Sequence, residues 1–333
     1  MQFKELTNKV MNGDYLSFQE ISSFISDSRQ SLINGLEFVT MLTAMETRNR
    51  IKGINLEECA SLIKALKLDN TINLENLLCN SGTGGDKIKT INISTPSSIV
   101  IASCGVKVLK NGSRRISGCS GSKEFLDYLG IDTNRKLDLV KEDVKNVGIG
   151  YFDFSNLIPI KERSGLRSPL NYIGPLCNPS KVTYKILGTT DLKYVKSIKP
   201  LLNTLFDNYI VIYNELIDEL SLSDNSYIFE KKGEILKEYV FNPREEKLPF
   251  VDYKSIAHPG EIGKGVEIVL ESISGKENPP QEIISLNAGV GIYLANKVKS
   301  IKEGYYLAKN LICSKKVISK LNEWREFQKK NYD

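Results

Sequence analysis

The first 70 residues carry apolar side chains at intervals of three to four positions, which is the period of an amphipathic helix. The stretches YLSFQEISSFISDS (15–28) and GLEFVTMLTAMETRNRIKG (35–53) show this period, and Gly53 follows a last turn rich in basic residues. A glycine after basic residues is typical of a helix end. We therefore predict that residues 1–70 form a helical domain, joined by a returning segment near 156–185.

The pattern changes at about residue 74, where short apolar runs begin to alternate with helix-like segments. The runs are LLCN (77–80), VKVLK (106–110) and YIVIYN (209–214), and the helix-like segments include SKEFLDYLG and the terminal KLNEWREFQKKNYD. Strands alternating with helices indicate an α/β domain, residues 71–333, around a central, mostly parallel sheet. Such sheets bind ligands at the carboxyl ends of their strands.

Composition narrows the possible chemistry. The chain has 333 residues and a net charge of +5 from 45 basic and 40 acidic residues, scattered without a basic stripe, so we expect no nucleic-acid partner. The six cysteines stand singly and His258 is the one histidine, which argues against zinc. No signal core and no run of about 18 apolar residues is present, so we expect a soluble, cytoplasmic protein with no membrane partner.

The stretch NSGTGGDKIKTINISTPSSIV (80–100) is a candidate anion site. Gly82, Gly84 and Gly85 follow an apolar run, and glycine leaves backbone N–H groups bare for an anion. Thr95 suits an N-cap before Pro96, and a helix start there would offer further donors. We predict that amides of residues 82–95 stay uncovered for a phosphate. A tight turn before an ordinary helix is an open alternative.

Two further stretches carry candidate charges. VKVLKNGSRRISGCSGS (106–122) runs from a strand into a loop where Lys110, Arg114 and Arg115 could bind phosphate, although such a loop is often only a solvated basic turn. Asp218 and Glu219 follow the run YIVIYN, where two carboxylates could hold Mg²⁺ bound to pyrophosphate. Adjacent acidic residues are also common as a plain surface feature.

Four motifs together resemble the anthranilate phosphoribosyltransferase family, which has the nucleoside-phosphorylase-like (type III) phosphoribosyltransferase fold. GTGGD with NIST (82–95) is similar to the family's most specific signature, and KNGSR (110–114) resembles its K-H-G-N-R. GLRSPLNYIGPLCNP (165–179) and IDELSL (217–222) resemble two more of its motifs. The resemblance covers nearly the whole chain.

The resemblance implies a homodimeric enzyme, joined through the helical domain, that transfers phosphoribose from phosphoribosyl pyrophosphate to anthranilate with Mg²⁺ in tryptophan biosynthesis. It implies metal ligands at Ser94, Asp218 and Glu219, anthranilate contacts at Gly82, Ser113 and Arg167, and charge stabilisation by Lys110 and Arg114, with no certain catalytic residue. The implied contacts to phosphoribosyl pyrophosphate are Gly82, Gly85, Asp86, Thr90, Asn92, Ser94, Thr95, Lys110, Gly112, Arg114, Arg115, Ile116, Ser117 and Ser122.

The residues expected to bind the acceptor, anthranilate, depart from the family pattern. Asn111 stands where the family has His, Ser113 stands where it has Asn, and the segment before GLRSP lacks the family's H-P-A-M stretch. A phosphoribosyltransferase or nucleoside phosphorylase with another acceptor therefore stays an alternative, and a nucleic-acid-binding relative is a weaker one. For Arg167, bracing of the NYIGPL turn is the alternative to carboxylate binding.

Overall fold

The computed structural model describes residues 3–66, 74–112, 121–160 and 166–331. Four helices come first, as predicted: α1 (Phe3–Met11), α2 (Phe18–Arg29), α3 (Gly35–Lys52) and α4 (Leu56–Leu66). Ser17 and Asn34 cap α2 and α3, each in a capping box with a glutamate three residues on. These boxes fix where the helices begin, because each satisfies two otherwise free backbone donors.

In the described part of the chain, seven strands form one sheet in the order β3-β2-β1-β4-β5-β6-β7. The first five are parallel to their neighbours, and β6 and β7 add an antiparallel hairpin. This confirms the predicted mostly parallel sheet. The strands are β1 (Leu77–Gly82), β2 (Lys107–Gly112), β3 (Ile149–Asp153), β4 (Tyr184–Thr189), β5 (Asn208–Tyr213), β6 (Ser226–Lys232) and β7 (Ile235–Phe241).

Further helices connect and cover the strands, with 3₁₀ turns at Phe154–Leu157, Gly174–Leu176 and Tyr253–Ile256. They are α5 (Ser94–Ser103), α6 (Ser122–Tyr128), α7 (Leu137–Asn146), α8 (Pro169–Ile173), α9 (Leu192–Leu205), α10 (Ile262–Ile273), α11 (Pro279–Leu294), α12 (Ile301–Cys313) and α13 (Lys316–Lys330).

Successive strand residues point to opposite faces of the sheet, and neighbouring residues of β1 belong to two different apolar clusters. Leu78 belongs to the apolar cluster that includes α5 and α10–α13. Leu77 belongs to a second cluster, built with α1–α4 and α9. The division into domains 1–70 and 71–333 stays a prediction, since the four N-terminal helices share this second cluster with the sheet. No helix in the described ranges is long and apolar enough to cross a membrane.

Candidate active site

The carboxyl ends of β1, β4 and β5 bring three loops together at one edge of the sheet. Gly82 ends β1 and pairs with Gly188 of β4. A Cβ atom at Gly82 would lie 2.0 Å from Asp218 Oδ2, and one at Gly188 would lie 1.5 Å from the carbonyl oxygen of Asp218. Glycine at both positions therefore lets the acidic loop after β5 approach the backbone of the two strands.

The glycine loop is bonded directly to the acidic loop. The Gly84 amide donates to Asp218 Oδ2 at 2.8 Å, and the Asp218 amide donates to Asp86 Oδ1 at 2.7 Å. Gly84 and Gly85 have φ values of +64° and +98°, a conformation that glycine adopts without strain. Each loop thus fixes the other, and the aspartates are held before any ligand binds.

The prediction that the amides of residues 82–95 stay uncovered is wrong at several positions. The Gly84 amide is taken by Asp218, and the Thr83 and Lys87 amides donate to the carbonyl oxygens of Gly188 and Leu216, each at 2.9 Å. The Ile88, Ile91 and Thr95 amides are likewise bonded within the protein. Charged side chains must therefore carry more of any anion binding here than bare amides do.

Helix α5 begins at Ser94, so the predicted N-cap at Thr95 is also wrong. Ile93 occupies the cap position and makes no side-chain cap bond, while the Asn92 side chain accepts a hydrogen bond from the Thr95 amide at 3.1 Å. This leaves the Thr95 hydroxyl free to donate to Ser122 Oγ, at 3.1 Å. Ser122 begins α6, so two helix starts meet beside the glycine loop.

Lys110 supplies a buried ammonium beneath the helix start. Its Nζ donates to the Asn80 carbonyl oxygen at 2.8 Å and to Ser94 Oγ at 3.3 Å. Burial lowers the pKa of Lys110 to about 8, although the nearby carboxylates of Asp218 and Glu219 act in the opposite direction. An anion bound at this point would favour the charged lysine.

Three carboxylates form a cluster between the glycine loop and the acidic loop. Asp86, Asp218 and Glu219 each place an oxygen within 4.8 Å of the others. Burial raises the pKa of Asp86 to about 9 and that of Glu219 well above its usual range, and the charge of Asp218 adds to both effects. Glu219 Oε2 is buried and has no hydrogen-bond partner among the described residues. Such a cluster fits a divalent cation, which would relieve the repulsion.

A small cavity of about 10 Å³ lies beside Asp218 and Glu219. This volume is close to the roughly 10–15 Å³ that one water molecule needs, so the cavity is far too small to hold a phosphorylated sugar. The cavity is lined by Asn80, Ser81, Gly82, Ser94, Ile186, Gly188, Ile212, Asp218, Glu219 and Asn287.

Arg167 lies against the glycine loop. Its guanidinium donates to the carbonyl oxygens of Gly84 at 3.2 Å and Thr83 at 3.4 Å. A Cβ atom at Gly85 would lie 1.8 Å from Arg167 Nη1, so Gly85 makes room for the arginine. The arginine therefore braces the glycine loop, a contact that neither sequence hypothesis had named.

Asn111, on β2, bonds the turn that follows α8. Its Nδ2 donates to the carbonyl oxygens of Gly174, at 2.9 Å, and Cys177. The side chain is buried, and its Oδ1 has no partner among the described residues. At the position where the family has histidine, this chain thus ties β2 to the 3₁₀ turn after α8.

The remaining predicted residues fall into two groups. Thr90 forms an isolated β-bridge with Ala257, and Gly112 lies where a Cβ atom would meet Ser122 and Tyr151 at 2.9 Å. Five predicted residues lie outside the described part of the chain: Ser113, Arg114, Arg115, Ile116 and Ser117. Their roles stay predictions from the resemblance.

Two asparagines that the sequence reasoning missed position the acidic loop. Asn214 Oδ1 accepts from the Leu216 amide at 2.9 Å and the Ile217 amide at 3.2 Å. Asn287 on α11 bonds both polar groups of the Leu220 backbone. The sequence could have pointed to both residues, because each is a polar side chain in or next to an apolar stretch. Asn214 directly follows an apolar strand, and Asn287 lies in an apolar helical stretch.

The fold and site define a class of transferase. The family model described as "Glycosyl transferase family, a/b domain" matches residues 74–316. An anthranilate phosphoribosyltransferase of Clostridium kluyveri is 30% identical over 331 residues, covering 96% of this chain and 97% of that protein. One of Petrotoga mobilis is 32% identical over 339 residues, covering 98% and 96%. The chain therefore belongs to the anthranilate phosphoribosyltransferase family.

Solved structures agree with this assignment. The chain is similar to the anthranilate phosphoribosyltransferase of Thermus thermophilus, with a TM-score of 0.82, 25% identity, and coverage of 97% of this chain and 99% of that one. The Saccharomyces cerevisiae enzyme in complex with PRPP and Mg gives a TM-score of 0.81 at 21% identity, covering 98% and 97%, which shows the shared fold.

Proposed function

We propose that the protein transfers the phosphoribosyl group of 5-phosphoribosyl 1-pyrophosphate to the amino group of anthranilate, giving N-(5-phosphoribosyl)anthranilate and pyrophosphate. Membership of the family supports this activity. The observation that carries it is the placement of the buried Lys110 ammonium and the carboxylates of Asp86, Asp218 and Glu219 beside one glycine loop. A leaving pyrophosphate needs both a cation partner and a metal site at the same place.

Asp218 and Glu219, with Ser94, are the proposed metal ligands, and Asp86 lies close enough to add a third carboxylate. The raised pKa values of Asp86 and Glu219 and the unpartnered Glu219 Oε2 fit a Mg²⁺ ion. When bound, Mg²⁺ would neutralise part of the charge of the pyrophosphate. The other proposed donor contacts are those that the family resemblance implies.

The reaction does not require a strong general base. The bond between the anomeric carbon and the pyrophosphate oxygen breaks, the arylamine nitrogen bonds to that carbon, and the nitrogen then loses a proton to water. Lys110 would stabilise the negative charge that develops on the leaving group, a type of interaction that commonly contributes several kcal/mol. An arylamine is neutral and nucleophilic at pH 7, so the scarcity of histidine is compatible with the activity.

The acceptor contacts at Gly82, Ser113 and Arg167 belong to the same proposal. Arg167 has a planar guanidinium that suits a carboxylate, and its position on the glycine loop places it beside the proposed donor site. Its two long bonds to carbonyl oxygens, at 3.2 and 3.4 Å, are weaker than a charge-assisted pair with a carboxylate.

The test is a fluorescence assay with anthranilate, phosphoribosyl pyrophosphate and Mg²⁺. We expect anthranilate fluorescence to fall, and EDTA to stop the reaction. Asp218→Asn with Glu219→Gln should lower kcat/KM by at least about 10³-fold, because both ligands lose their charge. Glu215→Gln is the matched control, since Glu215 lies on the same loop with an exposed side chain paired to Lys87. Unchanged activity in the double variant would remove the metal assignment.

A second candidate function is phosphoribosyl transfer to another acceptor. It is favoured by Asn111, which holds the turn at Gly174–Leu176 in place of the family's histidine. Calorimetric binding of phosphoribosyl pyrophosphate with Mg²⁺, in a protein that leaves anthranilate fluorescence constant, would select this candidate.

The assembly and location are also proposals. Large apolar side chains are exposed on the N-terminal helices, including Met11, Leu36 and Ile51 at 71%, 78% and 78%. We propose that they pack against a second copy in a homodimer, and that the protein acts in the cytoplasm, where the substrates of amino-acid biosynthesis are found.

A further inference from the structure

Asn287 is a buried polar side chain in the middle of the apolar helix α11. It is 6% exposed, and the side chains around it on the helix are almost all buried and apolar. A primary amide in such a place is costly unless its hydrogen bonds are made. We therefore expect Asn287 to have specific hydrogen-bond partners.

That partner is the backbone of Leu220, next to the proposed metal ligands. The Leu220 amide donates to Asn287 Oδ1 at 2.9 Å, and Asn287 Nδ2 donates to the Leu220 carbonyl oxygen at 3.0 Å. The second Nδ2 hydrogen goes to the Ile283 carbonyl oxygen of the same helix, also at 3.0 Å. An asparagine offers two donors and one acceptor oxygen, so both of its ends are in use.

This clamp fixes the peptide plane that carries the Glu219 carbonyl group, because the Leu220 amide belongs to the same planar unit. At the other end of the segment, the Asp218 amide is held by Asp86. Residues 218–220 are thus fastened at both ends, and the two carboxylates line the cavity that Asn287 also lines.

We propose that Asn287 is a positioning residue that holds Asp218 and Glu219 in the geometry needed to bind the divalent cation. This inference rests on the proposed function, since it assigns the metal to that site. Residues that hydrogen-bond metal ligands without touching the metal orient those ligands. Their substitution typically lowers metal affinity or activity by about 10- to 100-fold. Asn287 acts on the metal without touching it.

The test uses Asn287→Ala and Asn287→Ser in the full chain. Both remove the clamp, and serine leaves a small polar group that water can join. The control is Ser285→Ala on the same helix, because Ser285 is fully buried and its Oγ has no hydrogen-bond partner in the described part of the structure. Far-UV circular dichroism and thermal unfolding show whether each variant is folded.

Two readouts are compared. Mn²⁺ is titrated into each protein and the free ion is followed by electron paramagnetic resonance, and the Mg²⁺ dependence of turnover is measured with saturating substrates. We expect both Asn287 variants to bind Mn²⁺ at least about tenfold more weakly and to need about tenfold more Mg²⁺ for half-maximal turnover. Ser285→Ala should match the wild type in both.

The outcomes separate this inference from the proposed function. A wild-type protein that neither binds Mn²⁺ nor turns over would reject the proposed function itself. An active wild type together with folded Asn287 variants of unchanged metal dependence would overturn the positioning role. Failure of both Asn287 variants to fold, while Ser285→Ala folds, would make Asn287 a stability residue and would overturn it as well.

Discussion

Gly82 shows how a single missing side chain shapes the site. A Cβ atom there would lie 2.0 Å from Asp218 Oδ2, far inside van der Waals contact. Gly82→Ala should therefore push the Asp218 carboxylate away from the glycine loop and lower kcat/KM by about 100-fold or more, because displacements of about 1 Å at a reacting centre have effects of this size. The anthranilate fluorescence assay measures the loss.

Gly263→Ala is the control for this prediction. Gly263 lies in α10, and a Cβ atom there would meet mainly the Tyr128 hydroxyl, at 3.0 Å on an exposed side chain that can move. The variant should keep wild-type activity. Equal activity of Gly82→Ala and the wild type would show that Asp218 is not placed by this contact.

A second prediction at the scale of single residues is that Lys110 makes the affinity for phosphoribosyl pyrophosphate depend on pH. Burial lowers its pKa to about 8, so the free enzyme loses this positive charge as the pH rises through that value. The affinity for phosphoribosyl pyrophosphate at saturating Mg²⁺ should then fall by up to about tenfold per pH unit above 8, since one proton is lost per site. Calorimetric titrations between pH 7 and 9.5 measure this decline.

Lys110→Arg should bind with an affinity that stays constant over this pH range, because a guanidinium keeps its charge. Lys107→Arg is the matched change on the same strand, at an exposed position, and should keep the wild-type profile. A wild-type affinity that does not fall between pH 8 and 9.5 would contradict the role of Lys110.

At the scale of elements, a buried carboxylate joins the C-terminal helix to the rest of the protein. Asp143 of α7 accepts from Gln328 Nε2 at 2.7 Å and Trp324 Nε1 at 3.4 Å, both on α13. Arg135 lies 3.4 Å away, yet burial raises the pKa of Asp143 to about 6 from its ordinary 3.8. The folded state therefore holds the Asp143 proton more tightly than the unfolded state does.

The raised pKa of Asp143 sets the direction of a pH effect on stability. Stability from protonated Asp143 is fully present below about 3.8 and is lost as the pH rises through about 6. Relative to Asp143→Asn, the wild type should lose up to about 3 kcal/mol of unfolding free energy between pH 4 and 7.5. Urea unfolding of both proteins at several pH values measures the difference. A difference that is constant with pH would contradict the prediction.

The strands differ in how well the sequence pattern predicts them. The strands β1, β2 and β5 were predictable because each is a short apolar run buried on both faces. The hairpin β6–β7 was missed, since most of β7 is exposed at the sheet edge and its sequence ILKEYVF mixes charged and apolar residues. Asp218 and Glu219 were expected as metal ligands from their motif. Asp86 was expected only as a contact to phosphoribosyl pyrophosphate, and its place beside the two other carboxylates needed the fold, because 132 residues separate it from Asp218.

At the scale of the whole molecule, strands β1 and β5 are buried in the sheet, but the N-terminal helical region keeps apolar side chains in solvent. Leu32, in the turn between α2 and α3, and Leu36, on α3, are 69% and 78% exposed, although leucine is usually buried. If these side chains pack against a second copy, Leu32→Lys with Leu36→Lys should raise the dimer dissociation constant by at least about 100-fold, since burying a leucine contributes about 1.5–3 kcal/mol. Sedimentation equilibrium measures the constant.

Ile235→Lys is the control for the assembly, because Ile235 is 61% exposed at the far edge of the sheet on β7. That change should leave the dissociation constant as it is in the wild type. A dimer that survives the leucine substitutions and dissociates with Ile235→Lys would instead place the contact at the sheet edge, where an unpaired strand can add to that of a second copy. Distinguishing these two faces matters for the site, since the N-terminal helices pack on the sheet that carries the glycine loop.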